Sequence, residues 1–143
     1  MVVSTQSAQD TLLAVCPHCE TTNRLSRVRL VDRPKCGQCK ELLFPGRTFA
    51  LTEASFDRYV AGEVPVVVDF WAPWCGPCRM MAPAYEEVAA RVPPGIHLAK
   101  VDTEAEPTIA SRFSIRSIPT LMAFRNGREI ARQSGALGAS QLL

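Results

Sequence analysis

Six cysteines form three pairs with the spacing Cys-x-x-Cys, and they carry most of the chemistry that this sequence offers. The pairs are Cys16/Cys19, Cys36/Cys39 and Cys75/Cys78. A cysteine thiolate is the nucleophile of disulfide exchange and is also a ligand of zinc, so each pair could serve redox chemistry or metal binding. A third interpretation is that the cysteines form disulfides that only staple the fold.

The composition indicates a soluble globular protein in a reducing compartment. Of the 143 residues, 47% are hydrophobic and 21% charged, which is enough apolar material for a core without disulfide staples. No stretch reaches the ~20 apolar residues of a membrane helix. The N-terminus has neither the basic segment nor the long apolar core of a secretory signal. We therefore expect a cytoplasmic protein with no membrane partner, in which thiols stay reduced and structural disulfides are disfavoured.

We divide the chain into three parts. Residues 1–14 show no clear periodicity and are predicted to form a flexible tail. Residues 15–47 hold four cysteines but few residues that could build a core. Residues 48–143 are predicted to form the main domain. The net charge of +2 gives little argument for a nucleic-acid partner, because four thiolates would offset the basic residues of the small module.

The first two cysteine pairs have the spacing of a zinc site. Sixteen residues separate Cys19 from Cys36, which fits the pattern Cys-x2-Cys-x15–20-Cys-x2-Cys. Cys16, Cys19, Cys36 and Cys39 would hold one Zn²⁺ in closed tetrahedral coordination, so the site would be structural. Iron or two disulfides are the alternatives. Neither His18 nor His97 has a recognisable partner in the sequence, and we interpret both as non-catalytic.

The main domain alternates helices and strands. Strands are predicted at residues 64–71, 96–101, 121–124 and 129–132, and helices after Thr52, after Cys75 and over residues 107–113. The first of these strands is almost wholly apolar, as expected for a central strand that is covered on both faces. Asn126-Gly127 is a strong signal for a two-residue hairpin. This order predicts an α/β sandwich with a mixed sheet.

Cys75 lies between the buried strand and the helix that follows it. Unpaired backbone N–H groups and the helix dipole favour an anion at that position, so the Cys75 thiolate would be activated. Cys78 lies one helical turn later, where it could attack a mixed disulfide on Cys75. Pro77 has the fixed φ that suits a first helical turn.

Two motifs make this arrangement similar to a known family. The segment VDFWAPWCGPC, residues 68–78, resembles the active-site stretch of thioredoxins, and SIPT, residues 117–120, resembles their cis-proline loop. The resemblance covers nearly all of residues 50–143. It implies the thioredoxin fold, with a mixed central sheet flanked by helices, and a redox-active Cys75–Cys78 disulfide. With its zinc-ribbon-like N-terminal module, the chain resembles the zinc-binding second thioredoxins of bacteria.

The resemblance also implies roles for two charged residues. Thioredoxins have an aspartate at the position of Asp69, where an ionised carboxylate in an apolar run is costly. Asp69 could have a raised pKa and exchange a proton with Cys78, or it could be a hydrogen-bonded structural aspartate. Lys100 on the next strand resembles the family's partner for this aspartate, with a solvated surface lysine as the alternative.

Six residues are expected to bind an extended protein substrate. They are Trp74, Gly76, Pro77, Ile118, Pro119 and Gly135. An X-Pro bond is usually trans, so the cis form of Ile118-Pro119 is implied by the resemblance alone. The two glycines would permit a close backbone approach, although simple turn roles are nearly as well supported.

The resulting expectation is an enzyme: a monomeric thioredoxin that reduces protein disulfides and is recycled by a thioredoxin reductase. The alternative is a zinc-dependent redox sensor or a chaperone-like binding protein. An oxidase or isomerase of the same fold is disfavoured, because Gly76-Pro77 between the cysteines resembles reductases. The resemblance further implies a final amphipathic helix, of which residues 138–143 would give one or two turns.

Overall fold

The computed structural model describes residues 10–135, which contain two β-sheets. Strands β1 (Thr11–Val15) and β2 (Thr22–Ser26) form an antiparallel hairpin, and a short 3-10 helix (Arg27–Asp32) follows it. The remaining elements are β3 (Phe49–Ala50), α1 (Phe56–Val60), β4 (Val66–Trp71), α2 (Gly76–Arg91), β5 (His97–Asp102), α3 (Pro107–Arg112), β6 (Thr120–Arg125) and β7 (Arg128–Ser134).

The second sheet is mixed, as the alternation of elements predicts. Its strand order is β3-β5-β4-β6-β7. Strands β3 and β4 run parallel to β5, whereas β6 runs antiparallel to β4 and β7 antiparallel to β6. Strand β4 lies between β5 and β6, and helices cover both of its faces. The buried residues Val66, Val68 and Phe70 pack with α1 and α3, and the partly buried Val67 packs with α2.

The β6–β7 hairpin confirms the turn signal in the sequence. Asn126 and Gly127 both have positive φ, 54° and 77°, which is the combination that a type I′ turn requires. This turn also contacts the end of α1, where the Gly127 amide donates a hydrogen bond to the Val60 carbonyl at 2.8 Å.

Several predicted boundaries differ from the structure. The tail predicted over residues 1–14 is wrong for its last part, because β1 begins at Thr11 and buries Leu12. Helix α1 begins at Phe56 rather than after Thr52, which instead opens the turn that precedes the helix. Strand β3 is absent from the prediction. The predicted final helix lies outside the described residues.

The N-terminal part of the chain, which consists of β1 and the small module, shares a buried contact with the main domain, and we call this contact the seam. Leu12 and Ala14 of β1 pack against Val64, with Leu25, Leu30 and Phe44 around them. The Tyr59 hydroxyl of α1 donates to the Cys16 carbonyl at 3.1 Å. The first cysteine pair is therefore attached directly to a helix of the main domain. Within residues 10–135, no helix is long and apolar enough to span a membrane.

Candidate active site and zinc centre

Cys75 and Cys78 form a disulfide at the start of α2, immediately after the central strand. Their Cα atoms are 5.3 Å apart. Cys75 is the N-cap residue of the helix, and its Sγ accepts a hydrogen bond from the Cys78 amide at 3.2 Å. The first helical turn contains no acidic residue. The free N–H groups at this end and the helix dipole would therefore stabilise a thiolate on Cys75 after reduction.

The disulfide is buried, although the residue before it in the chain is exposed. Cys75 is only 5% exposed and Cys78 only 2%, whereas Trp74 is 67% exposed. A Cβ atom added at Gly76 would meet nothing within 4 Å, so the space above this glycine is open to another molecule. A large exposed apolar side chain next to a reactive group is typical of a site that binds a partner.

The loop before β6 lies against the disulfide. The Ile118–Pro119 peptide bond is cis, as the resemblance implies. The Ile118 carbonyl oxygen is 3.7 Å from Cys75 Sγ. The Gly135 amide donates to the Pro119 carbonyl at 2.9 Å, and Gly135 has a φ of 97°, which explains glycine at this position. The loop therefore presents backbone groups beside the sulfur atom of Cys75.

Asp69 lies in the middle of β4 and is completely buried. Neither of its carboxylate oxygens has a hydrogen-bond partner among the described residues. Burial raises the pKa of this carboxyl to about 6, although the positive charge of Lys100 acts in the opposite direction. Near neutral pH such a group can both accept and donate a proton.

Lys100 is the direct neighbour of Asp69 in the β4–β5 ladder. Its Nζ atom lies 4.6 Å from the centre of the Trp71 ring, which is a cation–π contact. The side chain is half-buried, which disfavours the interpretation as a solvated surface lysine. It forms no direct ion pair with Asp69 within the described residues, so its effect on that carboxyl is a longer-range electrostatic one.

The other four cysteines form two matching turns. In each turn the amide of the first cysteine donates to the carbonyl five residues later, at 2.9 Å for Cys16 and 2.8 Å for Cys36. The residue four positions later, Glu20 or Lys40, has a positive φ and donates back to the cysteine carbonyl. The four Sγ atoms all lie within 4.8 Å of one another. The two turns thus converge on one point.

Two family models match the chain. The model "Thioredoxin" matches residues 47–143, and the model "Thioredoxin 2, N-terminal" matches residues 15–41. The chain belongs to the thioredoxin family. Its disulfide occupies the active-site position of that family, so the chain is a protein-disulfide reductase.

Individual thioredoxins agree with this assignment. Thioredoxin C-3 from Corynebacterium nephridii is 42% identical over 132 residues, which are 92% of this chain and 90% of the relative. Thioredoxin 1 from Synechococcus elongatus is 46% identical over 94 residues, which are 65% of this chain and 88% of the relative. The crystal structure of a Malassezia sympodialis thioredoxin superposes with a TM-score of 0.61 at 34% identity, covering 66% of this chain and 84% of that one.

The donor set of the N-terminal module fits a zinc ion. Hydrogen bonds to its sulfur, foremost from the Cys39 amide and then from Asn23, lower the pKa of Cys36 to about 6. The pKa of Cys39 instead rises to about 12, because burial and the neighbouring thiols outweigh a hydrogen bond from the Glu41 backbone. Four thiols this close cannot all ionise unless a cation compensates the charge. A divalent ion with tetrahedral preference and affinity for thiolates meets that need.

Two residues of this thioredoxin have contacts that the sequence did not reveal. Tyr85 of α2 was predicted only as part of an apolar stripe, yet its hydroxyl lies 3.0 Å from the Val67 carbonyl and 2.9 Å from the Ala99 carbonyl. Burial, reinforced by the Asp69 charge, raises the pKa of this phenol well above its usual range. His97, which seemed to have no partner, is buried in the seam. The apolar spacing of α2 was the only available signal for Tyr85, and none existed for His97.

Proposed function

We propose that this chain is a cytoplasmic, monomeric thioredoxin that reduces disulfides in protein substrates through Cys75 and Cys78. A thioredoxin reductase would return its own disulfide to the dithiol. The observation that carries the proposal is the position of the disulfide, at the N-terminus of α2 and against the cis-proline loop. Here the first cysteine can be stabilised as a thiolate, and an extended chain can lie beside it.

The reaction proceeds in two exchanges. The Cys75 thiolate attacks one sulfur of the substrate disulfide, so that a mixed disulfide forms and the other substrate sulfur leaves as a thiolate that takes a proton. Cys78 then loses its proton and attacks the Cys75 sulfur. The mixed disulfide breaks, the second substrate thiolate leaves and is protonated, and the Cys75–Cys78 disulfide forms. Two electrons and two protons have then passed to the substrate.

Cys75 is assigned as the attacking residue because of the helix geometry. Its sulfur accepts the hydrogen bond from the Cys78 amide and lies beside the Ile118 carbonyl, whereas Cys78 is the more deeply buried of the two. A substrate sulfur could therefore reach Cys75 more easily than Cys78.

We assign Asp69 as the base that takes the proton of Cys78. Support comes from its complete burial, the lack of a hydrogen-bond partner among residues 10–135, and its pKa of about 6. A base with a pKa near the working pH is the most effective in general catalysis. Lys100 would act as a positioning residue that keeps the pKa of Asp69 from rising further, since its charge opposes the effect of burial.

The substrate would bind across the surface around the disulfide. Trp74 offers exposed apolar surface, and the open space above Gly76 would admit a backbone. The Ile118–Pro119 loop would provide the groups that pair with an extended segment. Pro77 and Gly135 would shape the two sides of this surface.

The N-terminal module would bind one Zn²⁺ through Cys16, Cys19, Cys36 and Cys39. Zinc with four thiolates has no open coordination position, so it would stabilise residues 15–47 rather than take part in the exchange. The match of one family model to residues 15–41 and of another to 47–143 supports a division into this module and a thioredoxin domain over residues 48–143. The zinc thiolates would also be redox-responsive, because oxidants attack thiolates.

Insulin reduction tests the proposed activity. The full chain, supplied with NADPH and a bacterial thioredoxin reductase, should reduce insulin with multiple turnovers. Cys75→Ser should abolish turnover, whereas Cys19→Ser, which removes a cysteine of the other cluster, should retain it. Binding of insulin without turnover would contradict the proposal and indicate a sensor or chaperone instead. A reduction potential far more oxidising than that of thioredoxins, about −270 mV, would indicate an oxidase.

A further inference from the structure

The loop of residues 117–119, which lies against the redox disulfide, is held by two hydrogen bonds. The Thr120 hydroxyl donates to the Ser117 carbonyl at 2.6 Å. The Gly135 amide donates to the Pro119 carbonyl at 2.9 Å. The donors belong to β6 and to the residue directly after β7, so both ends of the loop are attached to the mixed sheet.

Ile118, between these two residues, differs from them. Within residues 10–135, neither its amide nor its carbonyl forms a hydrogen bond with another backbone group. Its carbonyl oxygen lies 3.7 Å from Cys75 Sγ. Bonded and unbonded carbonyls thus alternate along the loop, as they do along an edge strand, where every second residue offers its backbone groups to a neighbouring chain. A substrate segment that pairs with Ile118 would have its disulfide beside Cys75.

Thr120 anchors the loop to the interior of the sheet. It is the first residue of β6 and pairs with Phe70 of the central strand on one side and with Ser134 of β7 on the other. Only 3% of the residue is exposed, and β-branching restricts its χ1 angle. Phe70 lies five residues before Cys75, so the loop and the disulfide are attached to the same edge of the sheet.

The Ser134 hydroxyl extends this arrangement by a further hydrogen bond. Its oxygen lies 3.3 Å from Thr120 Oγ1. A hydroxyl group has a single proton, and the shorter bond to the Ser117 carbonyl takes that of Thr120, so Ser134 is the donor to Thr120. A hydrogen bond that Thr120 accepts strengthens the one that it donates. Two hydroxyl groups on neighbouring strands therefore fix the position of the Ser117 carbonyl.

We propose that Thr120, supported by Ser134, is a positioning residue for protein substrates. Because Thr120 holds the Ser117 carbonyl, the backbone of Ile118 is already in place, and a peptide can pair with it without first ordering the loop. A small disulfide without a peptide backbone gains nothing from this arrangement. This role rests on the proposed reductase function, and it adds a residue that favours protein substrates over small disulfides.

Single-turnover oxidation of the fully reduced, zinc-loaded chain tests this role without a reductase. Tryptophan fluorescence would follow its reaction with insulin and with bis(2-hydroxyethyl) disulfide, which has no peptide backbone. Thr120→Val keeps the shape of the side chain and loses the hydroxyl. It should lower the rate constant for insulin about five-fold, as expected for one lost hydrogen bond, and leave that for the small disulfide within about two-fold of wild type. Thr120→Ser keeps the hydroxyl and should restore most of the insulin rate.

Thr48→Val is the matched control. The Thr48 hydroxyl donates to the Glu86 carboxylate of α2 at 2.7 Å, so this variant also loses one hydroxyl bond, and both of its rate constants should equal those of wild type. Ser134→Ala, at an exposed position, should slow the insulin reaction alone by about two-fold, and it keeps the test open if Thr120→Val does not fold.

Three results would overturn the positioning role. They are an equal loss of rate with both disulfides in Thr120→Val, a wild-type insulin rate in Thr120→Val or in Ser134→Ala, and a failure of Thr120→Ser to recover the rate. Failure of the wild-type chain to reduce insulin would instead contradict the proposed function, on which this role depends.

Discussion

Asp69→Asn should remove a pH-dependent penalty on the stability of this thioredoxin. The native carboxyl has a pKa of about 6 because of burial, against an ordinary value of 3.8. Between these two pH values the native state holds a proton that the unfolded state has released. The free energy of unfolding therefore falls as pH rises through this window, and the full penalty is present above about pH 6. An asparagine cannot ionise, so the variant lacks this dependence.

The size of the effect follows from the two pKa values. The interval from 3.8 to about 6, at about 1.4 kcal/mol for each pH unit, corresponds to about 3 kcal/mol. We expect the wild-type chain to lose about this amount of stability relative to Asp69→Asn between pH 4 and pH 8. The comparison across pH is the decisive one, because a buried asparagine has a desolvation cost of its own that does not change with pH.

Urea denaturation of the oxidised protein, followed by tryptophan fluorescence from pH 4 to pH 8, measures this difference. Asp57→Asn is the control, since Asp57 is 69% exposed and pairs with Arg112 at the surface. That variant should change stability by no more than about 1 kcal/mol. Parallel stability curves for wild type and Asp69→Asn would refute the reasoning.

In the reduced protein, Asp69→Asn should also slow insulin reduction and remove a titration near pH 6 from the rate profile.

Three further predictions concern the cysteines and the seam. Cys78→Ser should accumulate mixed disulfides on Cys75 that are visible by non-reducing electrophoresis, and Cys75→Ser should not; the opposite pattern would reverse their roles. Metal analysis should find one zinc per chain and far less in Cys36→Ser, and zinc-free wild-type protein purified under reducing conditions would contradict the site. Tyr59→Phe loses the hydrogen bond to the Cys16 carbonyl, so it should lower the free energy of unfolding by about 1 kcal/mol and speed zinc transfer to a chelator. An unchanged transfer rate would show that this contact does not hold the module.

The features that could be predicted from the sequence depend on local spacing. The Cys75–Cys78 pair at the start of a helix, the two cysteine turns and the Asn126-Gly127 hairpin each lie within a few residues of one another. These three features are determined by the local backbone conformation. The types of residue at these positions indicate which conformation it is. Asp69 could be recognised as unusual because a carboxylate interrupts an apolar strand, but only the structure shows that none of the described residues donates a hydrogen bond to it.

The features that escaped prediction depend on contacts between distant residues. Strand β3 has only two residues and is defined by its pairing with β5, which no local pattern encodes. The partners of His97 come from β1 and from the segment that ends the module, so nothing near position 97 indicates them. Tyr85 has the spacing of the apolar residues along its helix, so the sequence predicts only that it is a core residue. The spacing does not show that its hydroxyl lies beside two backbone carbonyls.

The seam limits how this protein can be recombined with its relatives. Val64, Tyr59 and His97 belong to the thioredoxin domain, yet the module covers them or bonds to them. A chimera cut at residue 47, where the match to the thioredoxin model begins, would uncover a valine, a phenol and an imidazole together. Transfer of the module to a single-domain thioredoxin would meet the reverse problem, because the recipient would need equivalent residues at these three positions. The module can therefore be exchanged only together with the three residues of the thioredoxin domain that it contacts.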